Sequence, residues 1–132
     1  MGRVALRRVV EYAKQRRVFG RPIGMNQGVQ FPLAESLAKL DAVELLIRKA
    51  AWLYDNDQPC AAEANAAKYL AGEAGYRACE TAVMTHGGMG YAKEYHVERF
   101  LRESLIPRLA PVSREMIMSF IAEKVLELPK SY

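Results

Sequence analysis

Residues 32–54 read PLAESLAKLDAVELLIRKAAWLY, and this stretch decides the fold. Leu33, Leu37, Leu40, Val43, Ile47, Ala50 and Tyr54 recur three or four residues apart. That spacing puts them on one face of an α-helix. Glu35, Lys39, Glu44, Arg48 and Lys49 fall mostly off that face. Pro32 is expected near the helix start, where a missing N–H is tolerated. The run Asp55-Asn56-Asp57-Gln58-Pro59 breaks the pattern and predicts a turn.

Helical spacing continues on both sides. Upstream, Ala5, Val9, Tyr12 and Ala13 predict a helix over 3–17, stopped by Gly20 and Pro22, with a loop over 20–27. Downstream, an Ala-rich helix is expected over 59–85. Gly72 and Gly75 weaken it by about 1 kcal/mol each relative to Ala, but small residues admit a close neighbour. Gly87-Gly88-Met89-Gly90 ends it, and a short helix covers 96–103. Pro107 and Pro111 bracket a stretch read as non-helical. Ser113 is a candidate N-cap for a last helix carrying Ile117, Phe120, Ile121, Val125 and Leu128, closed by Pro129. No alternating strand pattern and no repeat is visible. The fold class is all-α: a single domain over 1–132, an antiparallel four-helix bundle with a short extra helix. The stripes read as core. They also exceed what four helices need, so self-association is expected.

Composition narrows the function classes. Half of the residues are apolar (51%), yet no apolar run approaches the about 18 residues of a membrane span. The first residues carry Arg3, Arg7 and Arg8 instead of the apolar core of a signal peptide, so a cytoplasmic protein is expected. Cys60 and Cys79 fall on one predicted helix, about 28 Å apart at the helical rise, so they cannot pair within it; both read as small buried residues. Two histidines, His86 and His96, with no Cys/His cluster, give no metal-ligand spacing. The net charge of +4 is uneven. Up to Arg21, Arg3, Arg7, Arg8, Lys14, Arg16, Arg17 and Arg21 are opposed by Glu11 alone. Such a segment suits an anionic partner or a solvated helix face.

Two motifs carry chemistry. Arg16-Arg17-Val18-Phe19-Gly20-Arg21-Pro22-Ile23, with Gln27 close behind, is a basic helix end followed by a turn that displays an aromatic. Guanidinium groups there can grip phosphate oxygens in pairs. They also sit where a helix C-terminus favours cations without any ligand. Thr85-His86-Gly87-Gly88-Met89-Gly90-Tyr91 is a glycine turn whose backbone can approach a ligand closely, or simply stop a helix.

In this order and spacing, and followed by Glu94-Tyr95-His96-Val97-Glu98-Arg99-Phe100-Leu101-Arg102-Glu103, the two motifs resemble the C-terminal helical domain of the acyl-CoA dehydrogenase family. The resemblance runs over nearly the whole chain. It implies a flavoenzyme subunit with an N-terminal helical domain, a middle β domain and this helical domain, and FAD at a contact between subunits. It implies α,β-dehydrogenation of an acyl-CoA thioester, with hydride transfer to FAD. By motif match, Arg16 would contact the FAD pyrophosphate with Phe19 and Gln27 alongside. Gly87, Gly88 and Gly90 would admit the adenosine end, and Ser113 would lie near a last FAD-facing turn. A homodimer or homotetramer is the implied assembly.

The departures from the family pattern concern polar groups. Val18 stands where many members carry Thr or Ser, and Met84 where many carry Gln; Arg17 and Arg21 are the cations at hand to compensate. Many members place the catalytic carboxylate in a Tyr-Glu-Gly-Thr segment. Counting from Arg102, this chain has Ala110-Pro111-Val112-Ser113 there, and Pro111 cannot abstract a proton. Glu115, the nearest carboxylate, reads as a first-turn acid stabilised by its helix dipole. No catalytic residue is therefore assigned within the chain, and activity is expected to need the rest of the enzyme. The alternative is a non-catalytic helical assembly or nucleic-acid-binding module. No helix-turn-helix pattern with a recognition helix supports nucleic acid as the partner.

Overall fold

A computed structural model describes residues 1–131. Helix α1 spans Gly2–Gln15, α2 Gln27–Asp55, α3 Ala61–His86, α4 Val97–Glu103, α5 Ile106–Leu109 and α6 Arg114–Phe120. Helix α6 continues as one π-helical turn, Ile121–Val125. These elements form the expected antiparallel bundle, with α4 as the short extra helix. Among the described residues no helix is long and apolar enough to cross a membrane. Both cysteines are free: Cys79 is buried within α3, whereas Cys60, half-buried, is the N-cap of that helix.

Four boundaries differ from the sequence expectation, each for a local reason. Helix α1 stops at Gln15 because Arg16 takes extended backbone (φ −67°, ψ 119°). Beyond it lies a two-stranded antiparallel hairpin, β1 Arg17–Val18 and β2 Arg21–Pro22. Strands of two residues are too short to show a period-2 pattern. Helix α2 starts six residues earlier than its apolar stripe, since the Asn26 carbonyl accepts from the N–H groups of Val29 and Gln30 (2.9 Å each). Pro32 is therefore inside the helix, and the Ser36 hydroxyl donates to its carbonyl (2.8 Å). Pro107 begins no irregular stretch; it lies in the first turn of α5, a position open to proline.

The core is built from small side chains where α1, α3 and α4 meet. Ala5, Leu6, Val9 and Ala13 of α1 are buried with Cys79 and Ala82 of α3 and with Val97 and Phe100 of α4. Small residues let the backbones close up. A Cβ on Gly2 would lie 3.0 Å from the Gly75 Cα, and one on Gly72 3.4 Å from the Pro107 carbonyl oxygen. At the other end of α1, Tyr12 stacks on His86 (ring centroids 4.1 Å apart), and Tyr95 meets both rings edge-on. Such aromatic pairs contribute about 0.5–1.5 kcal/mol each beyond burial.

The apolar stripe of α2 is only partly core. Leu33 and Val43 are buried, but Leu37 and Ile47 remain 46% exposed and Tyr54 74%. Leu45 and Trp52 are also open to solvent.

Two stability predictions follow from this packing. The carbonyl oxygen of Val83 occupies the space a side chain on Gly90 would take, while Gly88 faces open space. Gly90→Ala is expected to lose about 1–3 kcal/mol in urea unfolding, and Gly88→Ala less than about 0.5 kcal/mol. His86 is the second case. Its Nδ1–H donates to the Ala82 carbonyl (2.7 Å), and burial holds its pKa below the ordinary value of 6.5 despite that bond. Between the depressed native value and 6.5 the unfolded chain binds the extra proton. Stability is therefore full above pH 6.5 and falls as the pH drops through that window. Thermal midpoints of His86→Phe are expected to lack this slope.

Candidate functional site

The hairpin projects from the C-terminal end of α1, and its geometry follows from its pairing. Val18 pairs with Arg21, so Phe19 and Gly20 form a two-residue loop. Their φ angles of 51° and 80° are both positive, as a type I′ turn requires. Gly20 suits that conformation; Phe19 does not, and a non-glycine residue held there costs about 1–2 kcal/mol. Phe19 is also fully exposed, at 100%. Asn would serve the turn better. An aromatic held at positive φ with nothing to pack on is a residue kept for contact with something else.

The arginines around this turn have three different settings. Arg17 folds back on the turn, donating to the Gly20 carbonyl (3.5 Å). Arg21 donates to Asn26 Oδ1 (2.8 Å). The Arg16 backbone is tied at both ends, its N–H to the Tyr12 carbonyl and its carbonyl to the Ile23 N–H (2.8 Å each), while its guanidinium makes no bond among the described residues. Elsewhere the basic segment is partly neutralised. Arg3 pairs with Asp41 (2.7 Å) and Glu44 (2.6 Å), and Lys14 with Glu11 (2.8 Å). Arg7 and Arg8 of α1, like Arg16, Arg17 and Arg21 at the hairpin end, form no ion pair among the described residues.

The bundle brings α2 and α3 to the same place. Val18, Phe19, Arg21, Asn26 and Thr85 share a cleft of about 690 Å³ with no acidic residue in its wall. Gln27 opens α2 beside it, and an adjoining cleft joins Gly28 to Met84 and Thr85. Gly87 follows at once, with φ 60° and ψ −136°, a conformation that needs glycine, and Gly88 faces open space. Arg16, Phe19, Gln27, Gly87 and Gly88 therefore lie at one end of the bundle. Gly90 is there too, but it is buried and its missing side chain is used by the Val83 backbone.

Ser113 lies far from that end. Lys68 donates to the Val112 carbonyl (3.2 Å), and the Arg114 guanidinium lies 5.6 Å from the Tyr69 ring centre, so this loop packs on the first turns of α3. Seventeen residues separate Lys68 from Thr85 along the helix, about 25 Å. The Ser113 hydroxyl accepts from the Met116 N–H (3.3 Å), which makes it the N-cap the sequence suggested. Pro111 is exposed and Glu115 sits in the first turn of α6.

The hairpin end fits the phosphate portion of a dinucleotide. It offers guanidinium donors without acid partners, an exposed flat ring and a glycine backbone open on one side. Sequence reasoning missed Asn26 and Thr85. Asn26 falls within the expected loop over 20–27, and nothing in the spacing shows that α3 delivers Thr85 to the hairpin.

Comparison with known proteins agrees with this geometry. The family described as acyl-CoA dehydrogenase, C-terminal domain, matches residues 1–126. Acyl-CoA dehydrogenase FadE12 of Mycobacterium tuberculosis is 46% identical over 134 aligned positions, covering 100% of this chain and 34% of that protein. The solved butyryl-CoA dehydrogenase from Megasphaera elsdenii superposes with a TM-score of 0.92 at 32% identity, covering 95% of this chain and 33% of that one. PigA, solved as its FAD complex, gives a TM-score of 0.90 at 27% identity over 94% of this chain and 32% of that one. The chain thus spans about a third of the length of the relatives it matches. It belongs to the acyl-CoA dehydrogenase family, whose C-terminal domain it matches almost from end to end.

Proposed function

We propose that this chain is the FAD-binding and self-associating domain of a flavin-dependent acyl-CoA dehydrogenase. One observation carries the proposal: Phe19 is held fully exposed at positive φ, three residues after Arg16, whose guanidinium pairs with no carboxylate among the described residues. FAD bound there supplies the acceptor for the hydride removed when an acyl-CoA thioester is dehydrogenated, as in fatty acid metabolism.

The residues of this chain bind and orient. Arg16 pairs with pyrophosphate oxygens through charge-assisted hydrogen bonds. Phe19 covers a flat face of the cofactor, and Gln27 donates beside it. The Gly87-Gly88 turn lets the backbone near the adenosine end, while Gly90 holds that turn against α3. The residue at the family's usual position for the base is Pro111, so the proton-abstracting carboxylate is not one of the residues assigned here. Ser113, at the opposite end of α3, lies near the last FAD-facing turn that the family resemblance implies. The exposed α2 residues Leu37, Leu45, Ile47 and Trp52 give that assembly, a homodimer or homotetramer, its apolar contact. Two free thiols accord with a cytoplasmic location.

Quenching of flavin fluorescence tests the cofactor site. Arg16→Gln is expected to weaken FAD about 10-fold or more. Phe19→Asn is expected to keep or raise the thermal midpoint while weakening FAD, since Asn tolerates positive φ. A chain with no affinity for FAD would overturn the reading. Light scattering tests the assembly: the unsubstituted chain is expected to be oligomeric, and Leu45→Glu with Trp52→Glu to shift it toward monomer. A strictly monomeric mass at high concentration would rule self-association out.

A further inference from the structure

The cleft at the hairpin end has one fixed cation in its wall, and it is Arg21, not Arg16. How Arg21 is fixed is informative. Asn26 is the N-cap residue of α2, yet its side chain makes no capping bond. Its Oδ1 accepts instead from Arg21 Nη2 at 2.8 Å, while its Nδ2 donates to the Ile23 carbonyl at 3.0 Å. An N-cap contributes about 1 kcal/mol, so Asn26 forgoes that contribution and locks a guanidinium into the cleft. Because the Arg21 bond uses one of five donors, the rest stay available. The same cleft is lined by Thr85, half-buried, whose hydroxyl makes no hydrogen bond among the described residues. Val18, beside them, has no polar side-chain atom to offer.

We propose that Arg21, oriented by Asn26, is a second phosphate-binding cation of the site, with the Thr85 hydroxyl as its companion donor. The ligand class is a diphosphate-bearing nucleotide. The proposal rests on the cofactor reading above and adds to it: Arg16 meets the diphosphate from the helix end, and Arg21 from the wall of the cleft.

The test measures FAD affinity and thermal midpoint in the 132-residue chain and in four variants. Arg21→Gln is expected to weaken FAD about 10- to 100-fold, and Thr85→Val about 2- to 10-fold. Asn26→Ser is the decisive variant. Serine caps α2 as well as asparagine does, so the thermal midpoint is expected to hold or rise while FAD weakens about 3- to 10-fold. Arg16→Gln serves as the reference for the cofactor reading. FAD affinity within twofold of the unsubstituted chain in Arg21→Gln, or unchanged affinity in Asn26→Ser, would overturn the proposal. If Arg16→Gln loses FAD while Arg21→Gln retains it, the cofactor reading stands and Arg21 drops out. An unsubstituted chain that binds no FAD overturns both.

Discussion

The close approach of α1 to α3 is the constraint on which the rest of this domain depends. Ala5, Val9 and Ala13 are small enough to bring the two helices together, and at one end the Gly2 and Gly75 backbones nearly touch. At the other end the Tyr12–His86 stack fixes α1 in rotation as well as distance. A helix held at both ends aims whatever follows it. Here that is the hairpin, tied down further by the bonds of Arg16 to Tyr12 and Ile23. The direction of the hairpin is thus settled in the core.

What the core aims is a locally unfavourable turn. Phe19 occupies a position that Asn would fill at lower cost, and Asn26 leaves α2 without its side-chain cap. Each departure costs on the order of 1 kcal/mol, a noticeable share of a domain stability of about 5–15 kcal/mol. Both lie within a few residues of the same cleft. Positive φ also occurs at Asp57, His96 and Glu127, but at this cleft it coincides with a fully exposed aromatic ring. Among the described α-helices, α6 alone has a side-chain N-cap bond, to Ser113.

The α2 face shows the opposite economy. Only Leu33, Ser36 and Val43 of its 29 residues are buried. A helix that long cannot find enough partner surface in a domain whose other long helices already pack on each other. Leu37, Leu45, Ile47, Trp52 and Tyr54 are left exposed along it.

Much of this was legible in the sequence. Apolar spacing alone determined the helices, because burial on a cylinder imposes a period of 3.6 whatever the partner. The order of the Arg-Phe-Gly and His-Gly-Gly motifs determined the family resemblance, and Ser113 declared itself as a cap. The two-residue strands, the early start of α2 and the turn at Pro107 were not legible, because each depends on backbone bonds that no periodicity records. Tertiary structure alone decided where the candidate site residues lie. Gly90 looked like a ligand-approach glycine and is a packing glycine, because Val83 lies against it. Ser113 looked like part of one cofactor site and lies at the other end of α3. Asn26 read as an ordinary loop residue and holds Arg21. Sequence fixes which faces are apolar through local geometry, but which side chains meet across the fold depends on how helices of a given length pack, and that is a property of three dimensions.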